Sequence, residues 1–293
     1  LLAPGEAAIV IAIALTSTAL GTLLPVLRDA GELGTPFGRA ISAVGAVGEF
    51  APLVAISIFL GGRQPGISTI VLGVFLAIGA IAIVLAMRVE HGRLHQFVAA
   101  TLHTSGQLAI RIVLLILAAL VVLSLVLDLD ILLGALVAGI VWRLIMRNAP
   151  PADRAAVDSK VEGPAFGFLV PIFFIMTGVS FDLQGLLDEP WLFALVPVVL
   201  IVMLIVRGLP AMLAAPVGAS AKERWSVALL GATGLPIIVA ATAIGTDEGF
   251  ISASLASVLV AGGMLSVLLL PLIGMTLRGE RVRPSMPIED DLV

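Results

Sequence analysis

Apolar runs long enough to cross a bilayer recur along the chain at 5–27, 38–60, 67–87, 105–127, 129–146, 164–181, 191–215, 225–246 and 250–277. A helix rises about 1.5 Å per residue, so roughly 20 apolar residues cover a hydrocarbon core of about 30 Å. The pattern predicts an all-α polytopic membrane protein with about nine transmembrane helices. The distribution of basic residues tests that count, because cytoplasmic connections carry an excess of Lys and Arg. With alternate connections assigned to alternate sides, one side holds Arg28, Arg39, Arg88, Arg93, Arg143, Arg147, Arg154, Lys160, Lys222, Arg224, Arg278, Arg281 and Arg283. The other side holds only Arg63, and is otherwise acidic: Asp128, Asp130, Asp182, Asp188, Glu189, Asp247 and Glu248. A miscounted helix would scramble this segregation. It predicts a multi-pass protein of the cell membrane with its C-terminus in the cytoplasm and Leu1 outside.

Within this pattern a few positions break the apolar rule. The run GRAISAVGAVGEFAPLVAISIFL holds one acid, Glu49, at its centre. A carboxylate at the bilayer midplane costs several kcal/mol, and such groups usually face a bundle interior or aqueous cavity where they bind ions or relay protons. The preceding run carries Thr16, Ser17 and Thr18 at its middle, followed by Gly21 and Pro25. Hydroxyls beside helix breakers can line a cation site formed by a broken helix. The run at 225–246 has a matching interruption at Thr233, Gly234 and Pro236. Gly and Pro are frequent in membrane helices, and that suffices for either break taken alone. Broken spans in two separate halves point to an inverted-repeat transporter with a midplane site. The rival reading of Glu49 is a hydrogen bond across helices that serves packing.

Two basic residues lie within apolar runs. Arg111 sits one to two turns from a helix end, where snorkelling to headgroups accounts for it. Arg207 lies about ten residues from the cytoplasmic end of its run, roughly 15 Å deep. Pro197, Gly208 and Pro210 suggest a kinked helix around it. Arg207 therefore reads as an interior residue. Residues 88–104 mix charge with Leu94, Phe97, Val98 and Leu102 at helical spacing and read as an amphipathic helix on the cytoplasmic face. His91, His95 and His103 all fall in this segment. His91 and His95 are four apart, but no Glu or third ligand completes a metal motif. Residues 147–163 form the only long polar connection and read as a link between two halves.

Composition agrees with this picture. The 293 residues are 60% apolar and only 12% charged, with a net charge of -4, and the mean hydropathy is +1.18. Soluble domains carry about twice that share of charge. There is no cysteine, which excludes disulfides and thiolate chemistry. The sequence contains no GxxxxGK[ST] and no HExxH, and it presents no convincing Ser/His/Asp set, so a transporter is expected rather than an enzyme. No cofactor, resident metal or nucleic-acid partner is expected.

The strings ALTSTALGTLLPVLRDAGELGTPFGRAISAVGAVGEF, PIFFIMTGVSFDL, LIVRGL and GATGLPIIVAATAIG occur in this order. In order and spacing they resemble the sodium/hydrogen exchanger domain of the monovalent cation:proton antiporter-2 (Kef-like) family, from about residue 4 to 277. The resemblance implies a core domain with two crossed discontinuous helices that moves against a dimerising scaffold, and hence a homodimer in a lipid bilayer. It implies secondary antiport of a monovalent cation, Na+ or K+, against protons. Carried over by position, Glu49 is the acid shared by ion and proton, and Thr16, Ser17 and Thr18 are the unwound first crossing. Arg207 is the buried basic support, and Thr233 and Gly234 lie in the second crossing. The position before the acid, usually Asp, Asn or Gln in the family, is Gly48 here, which suggests one-for-one exchange. Family members have twelve or thirteen helices, so residues 1–277 are expected to be an N-terminally incomplete exchanger domain and 278–293 a short cytoplasmic tail. A gated, channel-like potassium efflux path is the alternative reading.

Overall fold

A computed structural model describes residues 4–61, 64–88 and 108–279 of the chain. Helices α1 (Pro4–Thr16) and α2 (Leu20–Asp29) form one interrupted span, followed by α3 (Pro36–Phe59) and α4 (Pro65–Arg88). After these come α5 (Leu108–Val126), α6 (Ile131–Ile145), α7 (Pro151–Pro164) and α8 (Val170–Val179). The last spans are α9 (Leu195–Met203), a second interrupted pair α10 (Ala221–Gly231) and α11 (Pro236–Asp247), and α12 (Ala253–Arg278). The described helices account for all nine predicted spans. The amphipathic helix expected at 88–104, with its three histidines, lies outside the described residues except for Arg88.

Local chemistry sets the boundaries. Thr35, Asp130, Ser220 and Ser252 each accept a backbone N–H of the first turn of the helix that follows, satisfying donors that have no intrahelical partner. Pro36 and Pro236 stand at first helical positions, where a missing N–H costs nothing. Pro236 also explains the second interruption: the residue before proline is driven from helical geometry, and Leu235 lies at φ -147°.

Two expectations gain detail. The polar connection at 147–163 is itself largely helical: α7 runs through a π-helical turn, Ala165–Leu169, directly into α8. The distortion expected around Arg207 is also a π-helical turn, Leu204–Gly208, in which the guanidinium-bearing residue sits. An extra residue per turn rotates the following side chains and is a known cause of helix bending.

Burial separates central from peripheral spans. The span containing α10 and α11 is 72% buried over its most apolar window, whereas the one containing α7 and α8 is 6% buried. The largest apolar cluster joins Val10 and Ile13 of α1, Ile56 of α3, Phe75 of α4, Leu133 of α6 and Ala241 of α11. A second joins Leu23 and Leu27 of α2, Phe37 and Ile41 of α3, and Leu230 of α10. The two interrupted spans and α3 meet in both clusters, and that meeting positions the candidate site.

Candidate functional site at the crossing of two interrupted helices

The two interruptions meet. The Ala19 N–H donates to the Thr233 carbonyl at 2.7 Å, and the Thr18 N–H donates to the Gly48 carbonyl of α3 at 3.0 Å. The Thr18 hydroxyl donates to the Gly231 carbonyl at 2.8 Å, the last residue of α10. Backbone groups released by each break are thus satisfied by the other break and by α3. Without water such groups must find protein partners, so the breaks stabilise one another.

Close approach requires glycine at two points. A Cβ at Gly234 would lie 2.9 Å from the Ser17 carbonyl oxygen. Gly234 is further held by Ser266 of α12, whose hydroxyl accepts its N–H at 3.0 Å and stands 2.9 Å from its carbonyl. A Cβ at Gly48 would run into the Arg207 guanidinium and come within 2.5 Å of Thr18 Oγ1. The space beside Gly48 is therefore occupied by an arginine arriving from another helix.

Arg207 is tied in place from both sides. Its Nε donates to Thr18 Oγ1 at 2.7 Å and its Nη2 to the Val44 carbonyl at 2.5 Å. Through Thr18 the guanidinium is linked to the C-terminal end of α10, where unsatisfied carbonyls give a helix its negative pole. Glu49 occupies the opposite electrostatic position. Helix α2 begins after Ala19, which supplies no side-chain cap. The Gly21 N–H of its first turn donates instead to Glu49 Oε1 at 3.3 Å. A carboxylate is favoured at a helix N-terminus as a cation is at a C-terminus. The two charges are thus sorted onto opposite poles of the interrupted helices.

The residues singled out by sequence fall in different places. Ser17, Thr18 and Thr233 are fully buried at the crossing, and Glu49 is half-buried beside it. Thr16 ends α1 exposed, its hydroxyl returned to the Ala12 carbonyl at 2.8 Å. The Ser17 hydroxyl donates to Ala14 at 3.0 Å, and that of Thr233 to Leu229 at 3.2 Å. Thr18 both donates and accepts, so it acts as the bolt between Arg207 and α10. Sequence reading passed over Ser266 and the Val44 carbonyl, since a serine in an apolar helix gives no signal of a partner in another span. It also passed over a cluster at the basic ends of the spans, where Arg278 pairs with Glu32 at 3.2 Å and with Glu223 at 2.6 Å. Arg111, expected near a helix end, is exposed.

Comparison with known proteins agrees with this architecture. Residues 3–277 match the family described as "Sodium/hydrogen exchanger, transmembrane". The chain is 24% identical over 268 residues to a Bacillus subtilis (strain 168) protein described as "Putative Na(+)/H(+) antiporter YjbQ", covering 88% of this chain and 41% of that protein. The chain thus spans less than half the length of this relative. The match extends across both interrupted spans, α3 and the arginine-bearing turn, and on that basis this chain belongs to the sodium/hydrogen exchanger family of membrane secondary transporters.

Proposed function

We propose that the chain forms an ion-translocating unit that exchanges a monovalent cation, Na+ or K+, for protons by alternating access, with Glu49 as the shared site. The observation that carries this reading is the carboxylate of Glu49 standing at the uncapped start of α2, beside an interrupted crossing whose other pole holds Arg207. A single carboxylate can hold a proton or a cation, and occupancy by one excludes the other. Coupling then requires no covalent step. The relative described as a Na+/H+ antiporter supports the same reaction class, and the ordered motifs support placement nearest the Kef-like antiporters.

In this reading Arg207 supplies a fixed positive charge and keeps the crossing folded while Glu49 changes occupancy. Thr16, Ser17, Thr18 and Thr233 retain oxygen lone pairs that can replace part of a cation's water, Thr18 fewest because it also accepts from Arg207. The absence of a second acid at Gly48 supports exchange of one proton per cation. We assign the basic ends of the spans to the cytoplasm, residues 1–277 to one transmembrane transport unit, and the working form to a homodimer.

The test is cation-dependent proton flux in proteoliposomes. Glu49→Gln removes the titrating group at nearly constant size, and flux is expected to fall to that of empty vesicles with the protein still folded. Exchange at the wild-type rate in that variant refutes the assignment. Cation conductance that is independent of protons would instead indicate a channel.

A further inference from the structure

A cavity of about 240 Å³ opens between the end of α3, the turn joining α5 to α6, and the end of α11, lined among others by Ser57, Gly61, Asp128, Asp130 and Glu248. It lies at the acidic ends of the spans. Ser57 follows Glu49 by eight residues on the same helix, about 12 Å along its axis.

One observation marks it as able to hold something, and two more describe its walls. Ser57 is only 1% exposed, yet its Oγ has no hydrogen-bond partner, uniquely among the buried side-chain oxygens and nitrogens of the described residues. Other hydroxyls in these helices return to a carbonyl four residues back, as Ser42 does to Gly38 and Thr69 to Pro65. A buried hydroxyl left unpaired costs on the order of 1–3 kcal/mol. The second observation is the turn itself. Asp128 holds φ +54°, in the left-handed region that Asp tolerates better than most residues. A Cβ at Gly61 would lie 2.9 Å from the Ser57 carbonyl and 3.6 Å from that of Asp128, so the turn and the end of α3 meet at backbone distance. The third is charge. Asp130 accepts the Leu132 N–H at 2.8 Å with one oxygen, and burial pushes its carboxyl above the ordinary range.

No group of three or more acidic or histidine side chains among the described residues could hold a metal ion. Calcium binding calls for six to eight oxygens at about 2.3–2.6 Å, so the carboxylates here would act through water. At about 30 Å³ per molecule the cavity takes roughly eight waters, enough for a small ion and its first hydration shell.

We propose that this cavity is a second cation site, which holds a monovalent cation with most of its water, Ser57 Oγ binding directly and Asp128, Asp130 and Glu248 through the hydration shell. It concentrates cations at one face of the membrane and does not require the role given to Glu49.

The test is equilibrium binding of 22Na+ to the purified chain in detergent. The Glu49→Gln background isolates the cavity and is expected to keep saturable binding. Adding Asp130→Asn and Glu248→Gln is expected to weaken that binding about tenfold or more, and adding Ser57→Ala alone several-fold. Asn preserves the helix cap, and thermal unfolding checks that each variant is folded. Loss of all binding in Glu49→Gln alone, or unchanged affinity after the cavity substitutions, overturns the proposal. Displacement of 22Na+ by Mg2+ at lower concentration than by unlabelled Na+ overturns the monovalent assignment. If instead the role of Glu49 is wrong, wild type and Glu49→Gln bind alike, while the cavity substitutions still lower affinity.

Discussion

Replacing Gly48 by alanine separates local propensity from tertiary fit, because the two predict opposite signs. In the interior of a helix, Gly→Ala normally stabilises by about 1 kcal/mol. At Gly48 the new methyl would overlap the Arg207 guanidinium and stand 2.7 Å from Thr18 Cβ. Neither neighbour can yield freely. Thr18 is anchored by its N–H to the Gly48 carbonyl and by its hydroxyl to the Gly231 carbonyl, and Arg207 by its bonds to Thr18 and Val44. Overpacking costs about 1–3 kcal/mol, and each hydrogen bond to a charged group is worth about 1.5–3 kcal/mol. Displacing one guanidinium bond while crowding Thr18 gives a net loss of about 2–4 kcal/mol after the propensity gain. At about 2 °C per kcal/mol, the midpoint of thermal unfolding in detergent falls by about 4–8 °C. Gly73→Ala in α4 is the control, since nothing lies within 4 Å of a Cβ built there, and its midpoint should hold or rise. Equal midpoints for the two variants would refute the claim that Arg207 occupies the space beside Gly48.

Ser266→Ala strips Gly234 of a partner for its N–H in a fully buried site, and should cost about 2–3 kcal/mol, with faster hydrogen exchange at 233–235 as its signature. Glu32→Gln breaks a pair whose side chains are 4% and 10% exposed, and is expected to cost about 1.5–3 kcal/mol, because Arg278 keeps Glu223 as a partner. Arg28→Ala, in a pair 48% and 34% exposed, should cost about 1 kcal/mol or less; comparable losses in these two variants would contradict the burial argument. Because folding raises the Asp130 carboxyl above its ordinary value, its proton is held more tightly in the folded state. Its contribution is therefore most favourable at acid pH and is lost as pH rises from the ordinary carboxylate range through the raised one. Asp130→Asn should flatten that part of a low-salt stability profile, and an unchanged profile would count against it.

Much of this protein was open to reading from its order of residues. Nine apolar runs gave nine spans because hydrocarbon thickness sets helix length directly. Pro236 and the Thr16–Thr18 turn marked the interruptions because proline and polar backbone act locally. Glu49 stood out because a lone acid in an apolar run is costly wherever it points. The glycine before it, by contrast, looked like a missing acid, and only the tertiary structure showed an arginine from 159 residues further along the chain filling that space. Ser57 resembled any helical serine, and Ser266 gave no sign that it bridges the second break. The turn carrying Asp128 and Asp130 looked like a surface connection. Spanning and breaking depend on the solvent and on neighbouring residues along the chain, so composition and spacing determine them. Which oxygen meets which guanidinium, and which buried hydroxyl is left without a partner, depends on how separate helices cross, and that is decided only when their packed faces come together.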